Sequence, residues 1–447
     1  MKTSGLVLAL SAGLCLCASG QGTCGWKAGS ARVKITPEKP IWLAGYAMRE
    51  HPREGVRHDV WAKALTIEDA GGRVGVIVTM DLCFIPRDVT LRINEILRQR
   101  HGLGRDQVIL NVSHTHTGPL ATLAKWDVFA LNDAEWEDVY AYTRWLIGTV
   151  ADVAGEALAK REPARIATGS GTVRFAVNRR RNKESKLAAA DELKGPIDHK
   201  VPVLKVEDAS GRLRTVLFGY SCHNTVLDDY LVSGDFAGFA QKELERLHPG
   251  TTAMFFQAAG ADQNPLPRRK ASLAMQYGNE LAAAVEQTLA DGMSPREPRL
   301  TTKYSETMLA MEEPMSSETL DKFSKYENWI GRVAKTMKAD FARKEPIREY
   351  PYPIHYWNIG GQKLFALGGE VVSGYSHAIR KSQGADAFVM GYSNDIMSYI
   401  PTPEMWEHGG YEVETAHLVY MLPAPWRRDV TKRILDAVDR IVAESEK

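Results

Sequence analysis

The chain has 447 residues, of which 44% are apolar, 25% charged and 9% aromatic, and its formal net charge is +1. These values are typical of an ordinary globular protein and exclude a disordered, collagen-like or coiled-coil chain. The near-equality of 56 Lys+Arg and 55 Asp+Glu lacks the basic excess of most nucleic-acid-binding proteins, so no nucleic-acid partner is expected. A chain of this length can form one large domain or two.

The first twenty residues have the pattern of a secretory signal. Lys2 supplies a positive charge, residues 6–16 form an apolar run too short to span a bilayer, and small residues at 18–20 precede a cleavage site before Gln21. An N-terminal membrane anchor is the alternative interpretation. From this pattern we expect an exported protein (periplasmic, extracellular or at the surface). No later stretch reaches about 18 uninterrupted apolar residues, so no transmembrane segment is expected in the mature chain. Peripheral membrane contact and the oligomeric state stay open.

Segments typical of strands and helices alternate along the chain. Strands are predicted at residues 60–68, 74–82, 108–113, 201–208, 213–221, 252–257, 300–311 and 387–392, with a hairpin at 354–370. Helices are predicted at residues 88–100, 134–160, 238–247, 273–289, 318–341 and 429–445. Hairpins mixed with βα units favour an α/β or mixed α+β fold, with mixed sheets flanked by helices. Residues 291–298 are the best linker candidate, but one catalytic domain over residues 21–447 is preferred.

The strongest functional motif is the His-Thr-His sequence at residues 114–116. His114 and His116 follow the predicted strand 108–113 and would face the same side, since residues i and i+2 of a strand point the same way. Two neutral imidazoles in such a place suit Zn²⁺. The alternative is a pair of surface histidines beside a loop, and the spacing alone does not decide between them.

Polar residues follow other apolar runs in the same way. His223 comes directly after a predicted strand, although a lone histidine there is more often structural, and Glu370 follows an apolar run and two glycines. A carboxylate at such a position fits a metal ligand or, alternatively, an acid at a helix N-terminus. The loop 391–403 contains Tyr399, and tyrosines of this kind usually serve in packing. A further strand exit at residues 255–265 could line the same cleft.

Other catalytic signatures are missing from the sequence. It contains no GxSxG elbow, Walker A motif, HExxH motif or Rossmann glycine fingerprint. The basic run at residues 179–181 is short, and such runs are normally solvated surface. The cysteines left after cleavage of residues 1–20 form neither a disulfide framework nor a CxxC zinc site. Metal-assisted hydrolysis is therefore the leading enzyme class.

Taken in order, these stretches resemble the neutral/alkaline, non-lysosomal ceramidases, secreted or surface zinc amidases that hydrolyse the N-acyl bond of ceramide. Residues 114–119 look like the family's His-Thr-His-Ser-Gly-Pro, and residues 218–224 are similar to its second zinc-histidine strand. Residues 369–370 resemble its Pro-Gly-Glu, while 393–404 and 411–412 resemble its tyrosine block and the Tyr-Glu that follows. Five motifs in the same order make the resemblance fairly specific.

The resemblance also implies roles for individual residues. It implies one zinc ion with four ligands, His114, His223, Glu370 and Tyr399. His116 would lie beside the metal as a proton carrier or oxyanion donor. Arg179 would reach the substrate or the tetrahedral intermediate, and Tyr411 would be a tyrosine of the substrate site.

The chain departs from the family pattern in three ways, and these departures concern the substrate more than the zinc chemistry. The family's added C-terminal β-sandwich domain is not expected here, Gln263 stands where the family has serine, and Ile396 replaces the first tyrosine of the tyrosine block. Zinc hydrolysis is therefore indicated more strongly than ceramide as substrate. We expect a secreted zinc amidase acting on ceramide or a related N-acyl lipid, sugar or peptide. The alternatives are a zinc esterase or phosphoesterase, and a non-catalytic exported binding protein on the same scaffold.

Overall fold

The computed structural model describes residues 25–189 and 192–446, so the predicted signal peptide lies outside the described residues. The strands, numbered in chain order, are β1 (Trp26–Lys34), β2 (Gly55–Val56), β3 (Trp61–Glu68), β4 (Val74–Met80), β5 (Val108–Val112), β6 (Glu162–Thr172), β7 (Ala176–Asn178), β8 (Lys200–Asp208), β9 (Leu213–Tyr220), β10 (Leu231–Val232), β11 (Thr252–Gln257), β12 (Gln263–Pro265), β13 (Ser294–Pro295), β14 (Leu300–Ala310), β15 (Glu349–Ile359), β16 (Gln362–Leu367), β17 (Glu370–Val371), β18 (Phe388–Met390) and β19 (Tyr399–Ile400).

The helices lie between and after these strands. They are α1 (Arg87–His101), α2 (Asp133–Ala159), α3 (Asp235–Leu247), α4 (Ala271–Ala290), α5 (Ser317–Phe323), α6 (Trp329–Phe341), α7 (Ser373–Gln383), α8 (Pro403–His408), α9 (Tyr411–Glu414), α10 (Ala416–Val419) and α11 (Val430–Ser445). Short 3₁₀ turns lie at Arg105–Gln107 and Glu184–Ala189. Among the described residues, no helix is both long enough and apolar enough to cross a membrane.

The larger sheet has the strand order β11-β9-β8-β6-β1-β3-β4-β5, with β13 paired to β6. It is mixed, because β11 with β9 and β4 with β5 are parallel pairs while the pairs between them are antiparallel. Its two edge strands approach each other: the Asn111 side chain donates to the Gln257 carbonyl oxygen (3.3 Å) and accepts from the Gln257 amide (2.9 Å). The segments that leave β5 and β11 are thereby brought together.

The smaller sheet, β14-β15-β16-β18, packs against this meeting point. Met390 of β18 forms a β-bridge with Ala258, just after β11, and Ser393 forms one with Asn111 of β5. Apolar side chains of both sheets share one buried cluster, which includes Phe256 and Trp357. Because burial of apolar surface is the main favourable term in folding, this shared core fixes the smaller sheet against the strand ends of the larger one.

The observed architecture confirms the predicted mixed α/β fold with mixed sheets and flanking helices, but it differs locally from the predicted elements. The single helix expected at residues 318–341 is two helices, and the Asn328 side chain caps the second by accepting from the Ile330 amide (2.9 Å). The strands β1 and β6 were not predicted. Part of the expected linker pairs with β6, as Pro295 lies opposite Ala167. The extent of a single domain over residues 21–447 stays a prediction.

Candidate metal centre

Four buried side chains from four separate segments converge beside the meeting strand ends. They are His114 after β5, His223 after β9, Glu370 at the start of β17 and Tyr399 at the start of β19. The Nε2 atom of His223 lies 3.1 Å from Glu370 Oε2 and 3.3 Å from the Tyr399 hydroxyl oxygen. The Nε2 atom of His114 lies 3.3 Å from the same Oε2 atom. The structure thus brings together the four residues that the resemblance names as ligands.

The carboxylate and the phenol are placed by a short parallel strand pair. Glu370 of β17 lies directly opposite Tyr399 of β19, and the Glu370 amide donates to the Ser398 carbonyl oxygen (2.8 Å). Gly369, just before the carboxylate, has a φ of +75°, and a Cβ atom there would lie 2.8 Å from the same carbonyl oxygen. Glycine is therefore needed before Glu370 for both its backbone conformation and its small size.

The two histidines of the His-Thr-His motif converge for a reason other than the one expected. Strand β5 ends at Val112, and His114 adopts a left-handed backbone conformation with φ of 59°. Strand alternation therefore does not apply at residues 114–116. The turn nevertheless brings the Nε2 atoms of His114 and His116 to 3.1 Å. A left-handed non-glycine residue is strained, and such residues concentrate at functional sites.

The outer nitrogens of both candidate ligand histidines are held by backbone carbonyls. His114 Nδ1 lies 2.6 Å from the Cys83 carbonyl oxygen, and His223 Nδ1 lies 3.3 Å from that of Gly260. A carbonyl can only accept, so the Nδ1 atom of each ring donates, and the Nε2 atom is the one that faces the cluster. This is the arrangement that orients metal-binding histidines in proteins. The donor set of two imidazoles, a carboxylate and a phenol therefore fits a divalent metal ion.

The charges within the cluster favour the ionised carboxylate. Burial raises the pKa of the Glu370 carboxyl, but His114 and His223 outweigh it and hold that pKa well below its usual range. Burial lowers the pKa of His223 to about 4, so this ring is neutral. Burial also raises the pKa of the Tyr399 hydroxyl well above its usual value, and the neighbouring Arg179 only partly opposes this. Only a strong local cation would favour ionisation of this phenol.

His116 lies between this cluster and a cavity of about 800 Å³. Burial holds the pKa of His116 well below its usual value, and the neighbouring His114 lowers it further, so the ring is neutral. Its ring centroid lies 4.7 Å from that of Tyr46, in an edge-on contact. Its Nδ1 atom is buried and has no hydrogen-bond partner among the described residues. A neutral imidazole that adjoins a cavity can accept or give a proton.

Arg179 belongs to the site and not to the solvated surface, which is where a short basic run is normally found. Its Nη2 donates to Glu412 Oε1 (2.8 Å), and Arg180 binds the other oxygen of the same carboxylate. The Arg179 guanidinium carbon lies 5.4 Å from the centroid of the Tyr399 ring. Tyr411 contacts Tyr399 edge-on with ring centroids 5.3 Å apart, and 41% of its surface is exposed. Both residues therefore adjoin the cluster at the side that opens to the cavity.

Comparison with known proteins identifies the family. Residues 26–318 match the family model described as neutral/alkaline non-lysosomal ceramidase, N-terminal. The chain belongs to this family. A neutral ceramidase of Pseudomonas aeruginosa is 29% identical over 247 residues, which are 54% of this chain and only 36% of that relative's length. A neutral ceramidase of Oryza sativa subsp. japonica is 28% identical over 85 residues, or 19% of this chain and 11% of that protein.

Solved structures of the family share the fold. The crystal structure of neutral ceramidase from Pseudomonas aeruginosa matches with a TM-score of 0.73 at 20% identity, covering 95% of this chain and 75% of that one. A ceramidase complexed with C2 matches with a TM-score of 0.70 at 19% identity, covering 94% and 76% of the two chains. At these identities the likeness establishes a common architecture.

Two tyrosines that the motifs did not single out complete the surroundings of the carboxylate. The Tyr420 hydroxyl donates to Glu370 Oε1, and the Tyr392 hydroxyl donates to Glu370 Oε2 (3.4 Å). Tyr392 lies in the loop at residues 391–403, directly before the stretch 393–404 that resembles the ceramidase tyrosine block. Tyr420 lies beyond the family's Tyr-Glu motif, and no local signal marks it.

The two substitutions relative to the ceramidase pattern are structural. The buried Gln263 amide donates to the backbone oxygens of Ser221 and Asp198, and the Gln263 carbonyl accepts from the His223 amide (3.0 Å). Gln263 therefore supports the turn that carries His223 without entering the cluster. Ile396 is a buried apolar residue.

Proposed function

We propose that this member of the ceramidase family is an exported zinc-dependent amidase that hydrolyses the N-acyl bond of ceramide or a related N-acyl compound. The convergence of His114, His223, Glu370 and Tyr399 carries the proposal, because their donor atoms form a connected buried cluster in which neighbouring atoms lie 3.1–3.3 Å apart. The matched relatives called neutral ceramidases support the amide as the bond that is cleaved. Export rests on the signal-like pattern of residues 1–20.

In this proposal His114, His223, Glu370 and Tyr399 hold the zinc ion. A bound Zn²⁺ would act as a Lewis acid and lower the pKa of water to about 7. The carbonyl contacts of the two histidine Nδ1 atoms keep both Nε2 lone pairs directed inward. The hydroxyls of Tyr392 and Tyr420 hold the Glu370 carboxylate in place.

The remaining site residues serve the proton transfers and the developing negative charge. His116 is neutral and adjoins the cavity, so it accepts a proton from attacking water and returns it to the leaving amine. Arg179 keeps its positive charge, since the neighbouring Tyr399 and Glu412 outweigh burial and raise its pKa. Arg179 and the Tyr411 hydroxyl are donors for the oxyanion, and losing one such donor typically lowers kcat by about 10²–10³-fold.

The proposal is tested by combining metal analysis with activity. We expect about one zinc per chain and hydrolysis of an N-acyl amide in preference to the matched ester and phosphoester. His114→Ala should lose the metal and about a thousand-fold or more in kcat. His377→Gln, at an exposed histidine of α7, is the matched control and should keep both. Full activity in His114→Ala, or active protein without metal, would refute a metal-dependent amidase.

A further inference from the structure

The cleft that opens from His116 is rich in positive charge. Its volume is about 800 Å³, and the arginines that line it outnumber the carboxylates five to two. The lining arginines are Arg179, Arg180, Arg181, Arg268 and Arg269. Clefts lined by one sign of charge concentrate ligands of the opposite sign. The lining therefore favours an anionic ligand.

Two of these arginines have donors to spare. Arg179 and Arg180 share the Glu412 carboxylate, whereas Arg268 binds Glu184 through Nε (3.3 Å). Arg269 uses Nη1 for both Asp228 (3.1 Å) and the Tyr46 hydroxyl (3.0 Å). A guanidinium has five N–H groups. Among the described residues, no acceptor contacts either Nη atom of Arg268 or the Nε and Nη2 atoms of Arg269.

Arg269 is connected to the metal centre through one side chain. Tyr46 receives a hydrogen bond from Arg269 and places its ring edge-on to that of His116, 4.7 Å away between centroids. The Arg269 backbone is left-handed, with φ of 77°, and its amide donates to the Val226 carbonyl oxygen (2.7 Å). A strained conformation held by a backbone hydrogen bond shows that the residue is positioned, as is common at ligand sites.

Buried polar atoms without partners line the same cleft. Thr225 is 3% exposed and Asn264 is 5% exposed, and neither Thr225 Oγ1 nor Asn264 Oδ1 has a hydrogen-bond partner among the described residues. Most buried polar atoms in proteins are hydrogen-bonded, so these two oxygens lack a partner that a polar ligand group in the cleft would supply. Within the described lining, the purely apolar side chains larger than glycine are Pro196 and Met405. Few purely apolar side chains are therefore available to the two long alkyl chains of ceramide.

We propose that the cleft recognises an oxyanion on the N-acyl substrate (a carboxylate, sulfonate or phosphate) through Arg268 and Arg269, while the scissile amide lies at the metal centre. This inference rests on the proposed function and selects, among ceramide and the related N-acyl compounds, those that carry an anion. Arginine suits this role because its planar donors bind oxyanions in a bidentate manner.

The first test compares substrates that differ only in charge. N-lauroyltaurine and N-lauroylethanolamine place an anion or a hydroxyl on the amine half, and an ω-carboxylauroyl ethanolamide places the anion on the acyl half. We expect kcat/KM for at least one of the two anionic substrates to exceed that for the neutral N-lauroylethanolamine by about ten-fold or more. The ratio of the anionic to the neutral kcat/KM should fall about ten-fold in Arg269→Gln and in Arg268→Gln. Arg269→Lys keeps the positive charge and should retain part of the ratio that Arg269→Gln loses. Arg440→Gln, at an exposed arginine of α11, is the matched control.

The second test measures binding without turnover. In His114→Ala, calorimetry should detect tighter binding of N-lauroyltaurine than of N-lauroylethanolamine, and added salt should weaken it. Addition of Arg268→Gln and Arg269→Gln should abolish the difference while circular dichroism shows an unchanged fold. Equal affinities, or a ratio unaffected by both arginine variants, would overturn the anion subsite. Arginine-dependent anion binding without hydrolysis of any substrate would instead refute the amidase and leave the subsite standing.

Discussion

At the scale of single residues, the site depends on where ring nitrogens point. His116 has one nitrogen at 3.1 Å from His114 Nε2 and the other without a partner among the described residues, so packing against neighbours must orient its ring. Tyr46 supports one edge. Gly45 lies so close to the same ring that a Cβ atom on Gly45 would overlap it. Because Gly45 has no side chain, the ring of His116, the proposed proton carrier, has the space to occupy this position.

This packing predicts a specific effect of Gly45→Ala. The added methyl group must displace the His116 ring, and we expect kcat to fall about ten-fold or more, since small misplacements of catalytic groups are costly. Gly72→Ala is the matched control, because Gly72 has a similar φ (+82° against +96°) but open space at the Cβ position. Both variants should lose about 1–2 kcal/mol of stability from the left-handed conformation. Equal activity of the two variants would show that the contact with His116 does not matter.

At the scale of elements, the candidate ligands are held by short segments that long-range contacts stabilise. The two-residue strands β17 and β19 could not persist alone, and the chain after α10 covers them. Trp426 Nε1 donates to the Tyr399 carbonyl oxygen (2.9 Å), and the Tyr420 hydroxyl binds Glu370. The segment from Tyr411 to Trp426 thus holds both members of the strand pair.

Removal of the Tyr420 hydroxyl should therefore weaken metal binding and leave the fold intact. Groups that hydrogen-bond to a ligand typically contribute about 10–100-fold to metal affinity. We expect Tyr420→Phe to raise the zinc dissociation constant by this factor in competition with a chelator. Tyr304→Phe, which removes a hydroxyl bound to the surface carboxylate of Glu306, is the matched control and should not change it. If both variants hold zinc as tightly as the parent chain, Tyr420 does not support Glu370.

The elements also show how far the sequence could predict the site. His114 and His223 follow apolar strands, a local pattern that is visible in the sequence. The local pattern around Arg179 is typical of surface, because its partner, Glu412, is 233 residues away. Tyr420 likewise contacts Glu370 across 50 residues. Strand β6 was missed because its sequence is rich in Gly and Pro, and its strand conformation comes from pairing with β1 and β8. Local patterns therefore drew attention to the two candidate ligand histidines, whereas Tyr399 and Arg179 were assigned to the site only through the resemblance to the ceramidases.

At the scale of the whole molecule, a buried histidine connects the two sheets near the site. His355 of β15 donates from Nε2 to the Arg105 carbonyl oxygen (2.8 Å) and accepts at Nδ1 from the Asn394 amide (3.2 Å). Asn394 in turn pairs with Leu110 of β5 through both its backbone and its side chain. Burial lowers the pKa of His355 to about 4, so the ring is neutral in the folded protein at physiological pH.

This neutral ring predicts a contribution to acid lability. In the unfolded chain a histidine titrates near pH 6.5, whereas folded His355 takes up its proton only near pH 4. Between these values the unfolded state binds one more proton, so stability falls as pH falls, by about 1.4 kcal/mol per pH unit. In His355→Gln the free energy of unfolding, measured in urea from pH 6.5 to 4.5, should have a slope shallower by this amount. The control variant His377→Gln, at an exposed histidine, should keep the slope of the parent chain. If His355→Gln also keeps that slope, protonation of His355 does not destabilise the contact between the two sheets.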